Sequence, residues 1–482
     1  MQVAVLNMVL NGDGKSNIKK LDSLKNIKKN EGRFDVVVCN PPFGSKIVET
    51  RKEVLKMFDL GHSWSFADDE FKKGNVLDKQ EDGILFIEAC VRLCRKDRGR
   101  IAIILPNGYL GNRSDKFSTM REWLLRHVKI SAIVSLPRFT FKQSGADVSA
   151  SIVFMEKRAE ILDDPKSDVY PVAIEMIEKL GWTAGDSKGK PVYKRNMSDG
   201  SLVIENGEPI IDNDFAKSLK AIISSGAGEA FAWLRSGRES EIDEAVGWTI
   251  YSSDFFTDRG ILLDPKYFCK KNQTHLDELR SDQHFLLGDK VDIVQGRRDL
   301  SGSTVCSVPD KTYHYVELAD INNGDHHSNR LKGWELPDRA RHFAEPRDFF
   351  FGSIWGSVQK WCVIADNETD VVVTNGCFRC HMKPGEEDYL IDVISYMTTE
   401  SWATQARALA RGSDGLAEIY IEDAKDIVIP KLSDSAREAL RSTVERMLEG
   451  RSTLSGEVEA LVKDGRINYC AIEKRASHIV LV

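Results

Sequence analysis

The sequence predicts an α/β fold in which a doubly wound sheet is followed by an α+β domain and a long carboxyl-terminal helix. Three observations support this prediction. Short apolar runs alternate with segments of helical spacing up to about residue 157, which is typical of strands and helices in an open α/β sheet. Short β-like runs separated by turns replace this pattern from about residue 250. The segment SDSAREALRSTVERMLEGRSTLSGEVEALVKDGR near the end has apolar residues at roughly 3.5-residue spacing with charges between them, which indicates an amphipathic helix, with a coiled coil as an open alternative.

In the first part, FDVVVCNPPF (34–43) is an apolar run ended by Asn and two prolines, which predicts a strand buried on both faces of a parallel sheet. GILFIEACVRLCRK (83–96) has helical spacing, and GRIAIILPNG (99–108) is a second short apolar run closed by turn residues. The next helix is predicted at REWLLRHV, with further strands at ISAIVSLP and SASIVFMEK. Residues 158–245 are rich in Gly, Asp, Ser and Lys, and we expect loops and short elements packed against this first domain.

The second part is predicted to contain strands at HYVELADI, DFFFGSIWG, WCVIAD and DVVVTNGCFRC. The last run places Cys377, Cys380 and His381 at the spacing of a covalent haem attachment site, and a Cys pair is also half a zinc site. Haem attachment needs export, and a second ligand pair at zinc spacing is missing, although His326 and His327 lie in the same domain. We therefore predict a strand with buried thiols and no metal, and we place Cys90 and Cys94 in the core.

Composition excludes several classes of protein. The 482 residues carry 67 basic and 74 acidic side chains, a net charge of -7, which argues against a histone-like, non-specific nucleic-acid binder but leaves a local basic groove open. Nine cysteines in this length are too few for a disulfide framework. No apolar run approaches the ~18 residues of a membrane span, and MQVAVLNMVLNGDG lacks the features of a secretory signal, so we predict a cytoplasmic protein that does not enter a membrane.

The tetrapeptide Asn40-Pro41-Pro42-Phe43 follows the first predicted strand, at the end where open α/β sheets bind ligands. Two prolines fix the backbone and remove two N–H donors, so the carbonyl groups form a rigid set of acceptors beside the Asn40 amide. Two acceptors directed at one exocyclic amine would align its lone pair for methylation, and Phe43 would stack on the planar substrate. The alternative is an ordinary strand, turn and core aromatic residue.

This tetrapeptide and its flanking sequence resemble the signature of DNA adenine-N6 methyltransferases, particularly the modification subunit of type I restriction-modification systems. Leu21-Asp22-Ser23-Leu24, FDVVVCNPPFGSK, GRIAIILPNGYLGN, LPRFTFKQSGADVSASIVFMEK and EMIEKLGWTAGDSKGK follow the family's order, and the resemblance extends from residue 1 to about 225. It implies a Rossmann-like methyltransferase sheet, S-adenosyl-L-methionine as cofactor, and a catalytic role for Asn40, Pro41, Pro42 and Phe43.

The resemblance also implies roles for residues outside the tetrapeptide. Asp22, with Asn40 and Pro42, matches positions that bind the cofactor, and Phe141 matches an aromatic residue that helps Phe43 to hold the flipped base. A loop carboxylate or helix cap is the alternative for Asp22. An ordinary loop anchor is the alternative for Phe141.

The sequence departs from the family at its beginning. Family members carry a glycine-rich cofactor loop and a helical domain before the segment seen here, whereas Gly12-Asp13-Gly14 falls where the family has a later turn. We therefore expect a partial, amino-terminally truncated methyltransferase sheet: a fragment, or one half of a split enzyme that needs a separate amino-terminal piece and binds S-adenosyl-L-methionine poorly alone.

The second half resembles a target-recognition domain of type I specificity subunits. The resemblance rests on VDIVQGRRD, YVELADINNGD, DFFFGSIWGSVQKWCVI, VVVTNGCFRC and ALARGSDGLAEIYIEDAKDIVIPKL, in that order. It implies double-stranded DNA as a partner, and a restriction subunit as a further candidate partner. Candidate DNA contacts are Arg297, Arg298, Ser353, Ser357, Gln359 and Lys360.

From these patterns we expect a partial methyltransferase domain over residues 1–230, a target-recognition domain over 231–435 and a helix over 436–482. The main functional hypothesis is site-specific DNA adenine-N6 methylation within a restriction-modification system. A catalytically inactive DNA-binding specificity module with a vestigial methyltransferase scaffold is the alternative, and N-methylation of RNA or of protein glutamine is a further one.

Overall fold

The structure is a computed structural model that describes most of the chain and divides it into two compact units, Met1–Pro265 and Lys266–Val482. The residues described are 2–12, 18–42, 44, 46–67, 70–96, 99–138, 140–142, 148–183, 189–243, 245–258, 260–294, 308–322, 324–412 and 417–449. Phe43, Arg297, Arg298 and the chain after residue 449 lie outside them.

The first unit alternates helices and strands over most of its length. Its helices are α1 (Gln2–Leu10), α2 (Lys52–Leu55), α3 (Asp82–Leu93), α4 (Asn107–Gly111), α5 (Asp115–His127), α6 (Phe215–Ser224) and α7 (Ala232–Arg235). Its strands are β1 (Val36–Cys39), β2 (Val48–Glu49), β3 (His62–Ala67), β4 (Glu70–Val76), β5 (Gln80–Glu81), β6 (Arg100–Pro106), β7 (Val128–Ser135), β8 (Ala150–Lys157), β9 (Pro171–Met176), β10 (Ile204–Glu205), β11 (Glu208–Pro209), β12 (Thr249–Tyr251), β13 (Phe256–Thr257) and β14 (Gly260–Ile261).

The central sheet of this unit has six strands in the order β1-β6-β8-β7-β9-β12. Strand β1 is parallel to β6 and β7 is parallel to β9, whereas β8 and β12 are antiparallel to their neighbours. The α/β prediction is thus confirmed as a sheet in which four strands share one direction, and the predicted strands and helices up to residue 157 are present. Helix α3 packs on β1 and β6, α5 on β7 and α6 on β9.

Strand β1 differs from the prediction of a strand buried on both faces. It is the edge strand of the sheet, with Val36 53% and Val38 77% exposed. A continuous apolar run predicts burial only where further chain covers both faces of the strand. Helix α3 packs on one face of β1, and the described residues of this unit leave the face that carries Val36 and Val38 exposed. The prediction of burial was therefore wrong, although the strand itself and its place in a parallel pair are as expected.

The division between the units lies later than the expected boundary at residue 230. Strand β12 pairs with β9 through Ile250 and Val172, so the chain after residue 230 adds the last strand to the first sheet. The hairpin β13–β14 follows within the same unit.

The second unit has an α+β pattern. Its helices are α8 (Pro265–Phe268), α9 (Lys270–Ser281), α10 (Leu287–Lys290), α11 (Leu390–Met397), α12 (Glu400–Leu409), α13 (Ile421–Lys425) and α14 (Asp434–Leu448). Its strands are β15 (His284–Leu286), β16 (Val291–Val294), β17 (Thr312–Val316), β18 (Ile321–Asn322), β19 (Asp325–His326), β20 (Asn329–Lys332), β21 (Ala340–Phe343), β22 (Phe349–Gly352), β23 (Trp361–Val363), β24 (Val371–Thr374), β25 (Cys377–Met382) and β26 (Val428–Pro430).

Two four-stranded sheets, β16-β25-β22-β23 and β20-β17-β24-β21, carry the strands predicted in this half. The largest apolar cluster of the unit joins the first sheet to helices α11, α12 and α14, with Phe351 and Trp402 fully buried in it. Helix α14 places Leu440 and Val444 in that cluster. The described part of the predicted terminal helix therefore packs inside its own unit.

No helix in the described ranges is long and apolar enough to cross a membrane.

Candidate methyltransferase corner and predicted DNA-contact residues

The Asn-Pro-Pro segment forms a solvent-exposed corner directly after strand β1. Asn40 and Pro42 are exposed, whereas Pro41 is buried. The side chain of Asn40 makes no hydrogen bond to the residues that the structure describes. A rigid turn with one buried proline thus presents an amide whose acceptor is available to a ligand. Phe43, the fourth predicted catalytic residue, lies outside the described residues.

The neighbouring strand brings a second asparagine to the same edge of the sheet. Because Cys39 pairs in parallel with Ile103, the chain after β1 runs beside the last residues of β6, which ends at Pro106 just before Asn107. The Asn107 side chain is fully buried, and its Oδ1 accepts a 2.7 Å hydrogen bond from Ser151 Oγ. Its Nδ2 has no partner among the described residues. Sequence reasoning missed Asn107, because its place at this edge depends on the pairing of β1 with β6.

Helix α4 also carries Tyr109, which forms a buried pair with the carboxylate of Glu81 on strand β5. Tyr109 Oη donates a 2.7 Å hydrogen bond to Glu81 Oε2, and Lys116 pairs with the other oxygen of Glu81. Burial, and then the bond to Glu81, raises the pKa of the Tyr109 hydroxyl. The close approach needs Gly83, because a Cβ atom there would lie 2.7 Å from Tyr109 Oη. The pair holds the start of α3 against the end of β6.

Asp22, the predicted cofactor carboxylate, already has partners on both oxygens. Its Oδ1 accepts the backbone N–H of Lys25 at 3.1 Å, and its Oδ2 lies 2.8 Å from Arg51 Nη2. The Lys25 N–H and then the Arg51 guanidinium lower the pKa of the Asp22 carboxyl. These contacts are those of a loop carboxylate beside a partly exposed guanidinium, and the role of Asp22 in binding the cofactor stays a prediction. The exposed Asn40 and Pro42 fit a ligand better, since neither has a competing partner among the described residues.

Phe141, the second predicted base contact, is half-buried. It packs against the apolar cluster that contains Leu136 and Ile177. The contact corresponds to a loop anchor, and part of the ring remains accessible.

Four of the predicted DNA contacts lie in or beside a tight turn after strand β22. Ser357 is 5% exposed and its Oγ donates to the Ile354 carbonyl, while a Cβ atom on Gly352 would lie 2.2 Å from the Ser357 carbonyl. Ser353 Oγ donates to the Gly376 carbonyl at 3.0 Å, and Lys360 Nζ donates to the Leu318 carbonyl at 2.8 Å.

Ser357 therefore stabilises the turn itself, whereas Ser353 and Lys360 connect it to the chain at Gly376 and Leu318. Gln359 is exposed, with its Oε1 3.3 Å from Arg407 Nη2. Ser357 cannot reach a phosphate without rearrangement of the turn, which makes Gln359 the most accessible of the four. Arg297 and Arg298 are outside the described residues.

The cysteines follow the prediction of buried thiols. Cys377 and Cys380 lie in strand β25 and are buried, and Cys90 and Cys94 are buried at the end of α3. Burial raises the pKa of the Cys377 thiol to about 12. In the described parts of the chain, no three His, Cys, Asp or Glu side chains are grouped so that they could hold a metal ion.

The amino-terminal part of the chain is similar to a known family. Residues 1–180 match the family described as N-6 DNA Methylase. The match includes strand β1, the Asn-Pro-Pro corner, strand β6 and Asn107. It confirms the resemblance of this segment to N6 DNA methylases, and it ends well before the second unit begins.

Individual relatives are more distant. A Methanocaldococcus jannaschii protein described provisionally as a type II restriction enzyme and methyltransferase is 22% identical over 210 residues, which are 37% of this chain and 16% of the relative. The chain thus corresponds to a small part of that protein's length.

Solved structures with similar parts include a type I restriction-modification methyltransferase subunit from Streptococcus thermophilus (18% identity, 39% of this chain and 36% of the other, TM-score 0.28). The type IIG restriction endonuclease BpuSI covers more of the chain (11% identity, 88% and 50%, TM-score 0.37). The HsdS subunit from Thermoanaerobacter tengcongensis is a third (15% identity, 38% and 45%, TM-score 0.27).

Proposed function

We propose that the first unit is the catalytic domain of a DNA adenine-N6 methyltransferase within a restriction-modification system, and that the second unit recognises the DNA target. The observation that carries the proposal is the exposed Asn-Pro-Pro corner, whose Asn40 amide has no partner in the described part of the chain. The family match over residues 1–180 supports it.

The chemistry follows from the acceptors at this corner. A flipped adenine would place its amino group between Asn40 Oδ1 and the Pro41 carbonyl, which accept its two hydrogens and direct the nitrogen lone pair outward. Phe43 would stack on the purine, and Phe141 would limit its movement. S-Adenosyl-L-methionine supplies the methyl group on a positive sulfonium, so positioning of the amine contributes much of the rate and no strong base need act before attack.

We infer that the described residues of the first unit supply only part of the contacts to the cofactor. Asp22 is paired with Arg51. Among the described residues β1 pairs with β6 on one side and has no partner strand on the other, and its Val36 and Val38 side chains are exposed. Such an edge accepts a further strand readily. We infer that a separate methyltransferase segment pairs with β1 and brings the cofactor loop to Asn40, as in a split enzyme.

The experiment is methyl transfer from labelled S-adenosyl-L-methionine to adenine-containing duplex DNA, with the product identified as N6-methyladenine by mass spectrometry. The purified chain should be inactive alone and active when an amino-terminal methyltransferase segment is added. Strong activity of the chain alone would refute the split arrangement, and methylation of RNA or of protein glutamine but not DNA would refute the choice of substrate.

A catalytically inactive specificity module is the second candidate, and the Asp22–Arg51 ion pair favours it because it occupies the carboxylate expected to hold the cofactor. If the chain is an inactive specificity module, it should bind DNA but transfer no methyl group, either alone or with an added amino-terminal methyltransferase segment. A restriction subunit would then be the functional partner of either arrangement.

A further inference from the structure

The first unit contains a second cleft, of about 700 Å³, that includes no residue of the Asn-Pro-Pro corner. Its walls come from the β3–β4 hairpin, helix α5, the turn at 163–166 and the β13–β14 hairpin. A cleft of this volume accommodates a small molecule or several side chains of a bound segment. It lies wholly within one unit, so its shape is set by that unit's own packing.

Aromatic rings form one wall of the cleft. Trp64 stacks on Phe71 with ring centroids 4.4 Å apart and an angle of 15° between the planes. Phe66, on the same hairpin, is 63% exposed, and Phe256 contributes a ring from the β13–β14 hairpin. Exposed aromatic rings beside a cleft commonly mark a binding surface, because the apolar ring gains little from contact with water.

The cleft already holds one guanidinium group of this chain. The Arg126 guanidinium carbon lies 4.9 Å from the centroid of Phe71, and Arg126 Nε donates a 2.7 Å hydrogen bond to Glu122 Oε1. Lys166 Nζ likewise lies 5.7 Å from the centroid of Phe256. The walls therefore combine ring faces with carboxylates in the way that binds cations.

Two further carboxylates in the lining remain available. Asp115 and Asp163 make no hydrogen bond or ion pair with the described residues, whereas Glu122 pairs with Arg126 and Asp164 accepts the Lys166 N–H. The lining thus has more acidic than basic groups, which favours a cation and opposes a phosphate. Nucleic acid is disfavoured for this reason, despite the exposed aromatic rings.

We propose that this cleft docks an arginine-bearing segment of a partner protein, with a guanidinium stacked on the exposed ring of Phe66 and its charge compensated by Asp115 and Asp163. Arginine suits the site better than lysine because its planar group stacks on rings and binds carboxylates through two N–H groups at once. The arrangement repeats the one that Arg126 makes with Phe71 and Glu122. It is independent of methyl transfer at Asn40.

The test uses the full chain and a fluorescein-labelled, capped hexapeptide of alternating leucine and arginine, with binding followed by fluorescence anisotropy. The matched peptide contains citrulline, which keeps the shape of arginine but has no charge. Combined Asp115→Asn and Asp163→Asn should weaken binding of the arginine peptide roughly tenfold, and Phe66→Ser should weaken it similarly. The control, Glu205→Gln with Glu208→Gln, removes two exposed carboxylates of the same unit outside the cleft and should leave the affinity unchanged.

Three outcomes would overturn the proposal: equal binding of the citrulline peptide, an equal loss with the control variant, or an unchanged affinity in the Asp115 and Asp163 variant. Binding of a single-stranded oligonucleotide that Phe66→Ser abolishes would assign the cleft to nucleic acid instead. Circular dichroism of each variant separates loss of the site from loss of the fold.

Discussion

The proposed reaction depends on Asn40, whose side-chain amide accepts a hydrogen of the adenine amino group. Asn40→Ala removes one of the two acceptors for the adenine amino group, so methyl transfer by the chain with its added amino-terminal segment should fall by about 100-fold or more. Asn40→Asp keeps an acceptor at the same position and should retain more activity than the alanine variant. The measurement is single-turnover transfer of labelled methyl to duplex DNA.

The control for Asn40 is Asn75→Ala, which removes another exposed asparagine side chain of the same unit that makes no hydrogen bond in the described chain. It should leave the rate within about twofold, since most surface substitutions change little. Equal rates for Asn40→Ala and Asn75→Ala would exclude Asn40 from the reaction.

Glu88 makes the stability of the first unit depend on pH. It is 1% exposed, and its oxygens accept the backbone N–H groups of Asp59 and Leu60. Burial is the largest influence and raises the pKa of the Glu88 carboxyl from 4.5 to about 7. The folded state therefore holds the Glu88 proton more tightly than the unfolded chain does. The resulting contribution to stability is full below pH 4.5 and is lost as the pH rises through 7.

The difference in unfolding free energy between the natural chain and Glu88→Gln should therefore decrease between pH 5 and pH 8, by as much as ~3 kcal/mol. Urea unfolding at several pH values measures it, with exposed Glu53→Gln as the control. Burial lowers the pKa of His127, so the contribution of His127 to stability increases as the pH rises. Because both proteins contain His127, this contribution cancels when their unfolding free energies are subtracted. A difference that does not vary with pH would contradict the raised pKa.

The sequence predicted the residues of the candidate site only where the signal is local. Asn40, Pro41 and Pro42 are adjacent in sequence and follow a recognisable strand, so a turn at the strand end that presents Asn40 could be expected. The partner of Asp22 is Arg51, 29 residues later, and no periodicity indicates such a pair. Asn107 reaches the same edge only through the parallel pairing of β1 with β6, which a single sequence does not specify.

At the scale of elements, strand β1 shows that an apolar run can predict an extended strand correctly and still predict its burial wrongly. The run Val36–Cys39 predicted a strand correctly, because β-branched residues favour extended backbone. It predicted burial wrongly, because burial requires other chain on both sides. The direction of β8 and β12 was also unpredictable, since an antiparallel insertion has the same local sequence pattern as a parallel strand.

Val38→Lys tests the open edge of β1. Val38 is 77% exposed, so the substitution should change the free energy of unfolding by less than about 0.5 kcal/mol, while a charge on the edge should prevent pairing with an added strand. Association of the chain with an amino-terminal methyltransferase segment, followed by analytical ultracentrifugation, should be lost. Ile204→Lys, a 54% exposed position on β10, is the matched control and should associate normally. Association that survives Val38→Lys would place the contact elsewhere.

At the scale of the whole molecule, the chain consists of two units with separate cores. The sequence predicted two domains followed by a terminal helix, because helical alternation gives way to short strands. It placed the boundary between the two domains at residue 230, whereas the structure divides at Pro265. The discrepancy arises from β12, which has only 3 residues and no recognisable pattern, yet completes the first sheet. Short edge strands are specified by their partner strand more than by their own residues.

The two units should contribute separately to DNA binding and to methyl transfer. Arg297→Ala with Arg298→Ala should weaken binding to duplex DNA and lower the slope of log affinity against log salt by about 2, because each lost phosphate contact releases one fewer counterion. Asn40→Ala should leave that affinity unchanged, since its proposed contact is to one flipped base. Fluorescence anisotropy with a labelled duplex at several salt concentrations measures both effects.

Lys271→Ala with Arg280→Ala is the matched control, because it removes two exposed charges of helix α9 in the second unit. Suppose that the Lys271 and Arg280 variant lowered the slope of log affinity against log salt as much as the Arg297 and Arg298 variant does. The loss of slope would then reflect net charge alone, and Arg297 and Arg298 would make no specific phosphate contact. If instead Asn40→Ala weakened DNA binding as strongly as the arginine pair, recognition and catalysis would share one surface. The assignment of DNA recognition to the second unit would then be wrong, because a single flipped base cannot account for the phosphate contacts that determine the salt dependence.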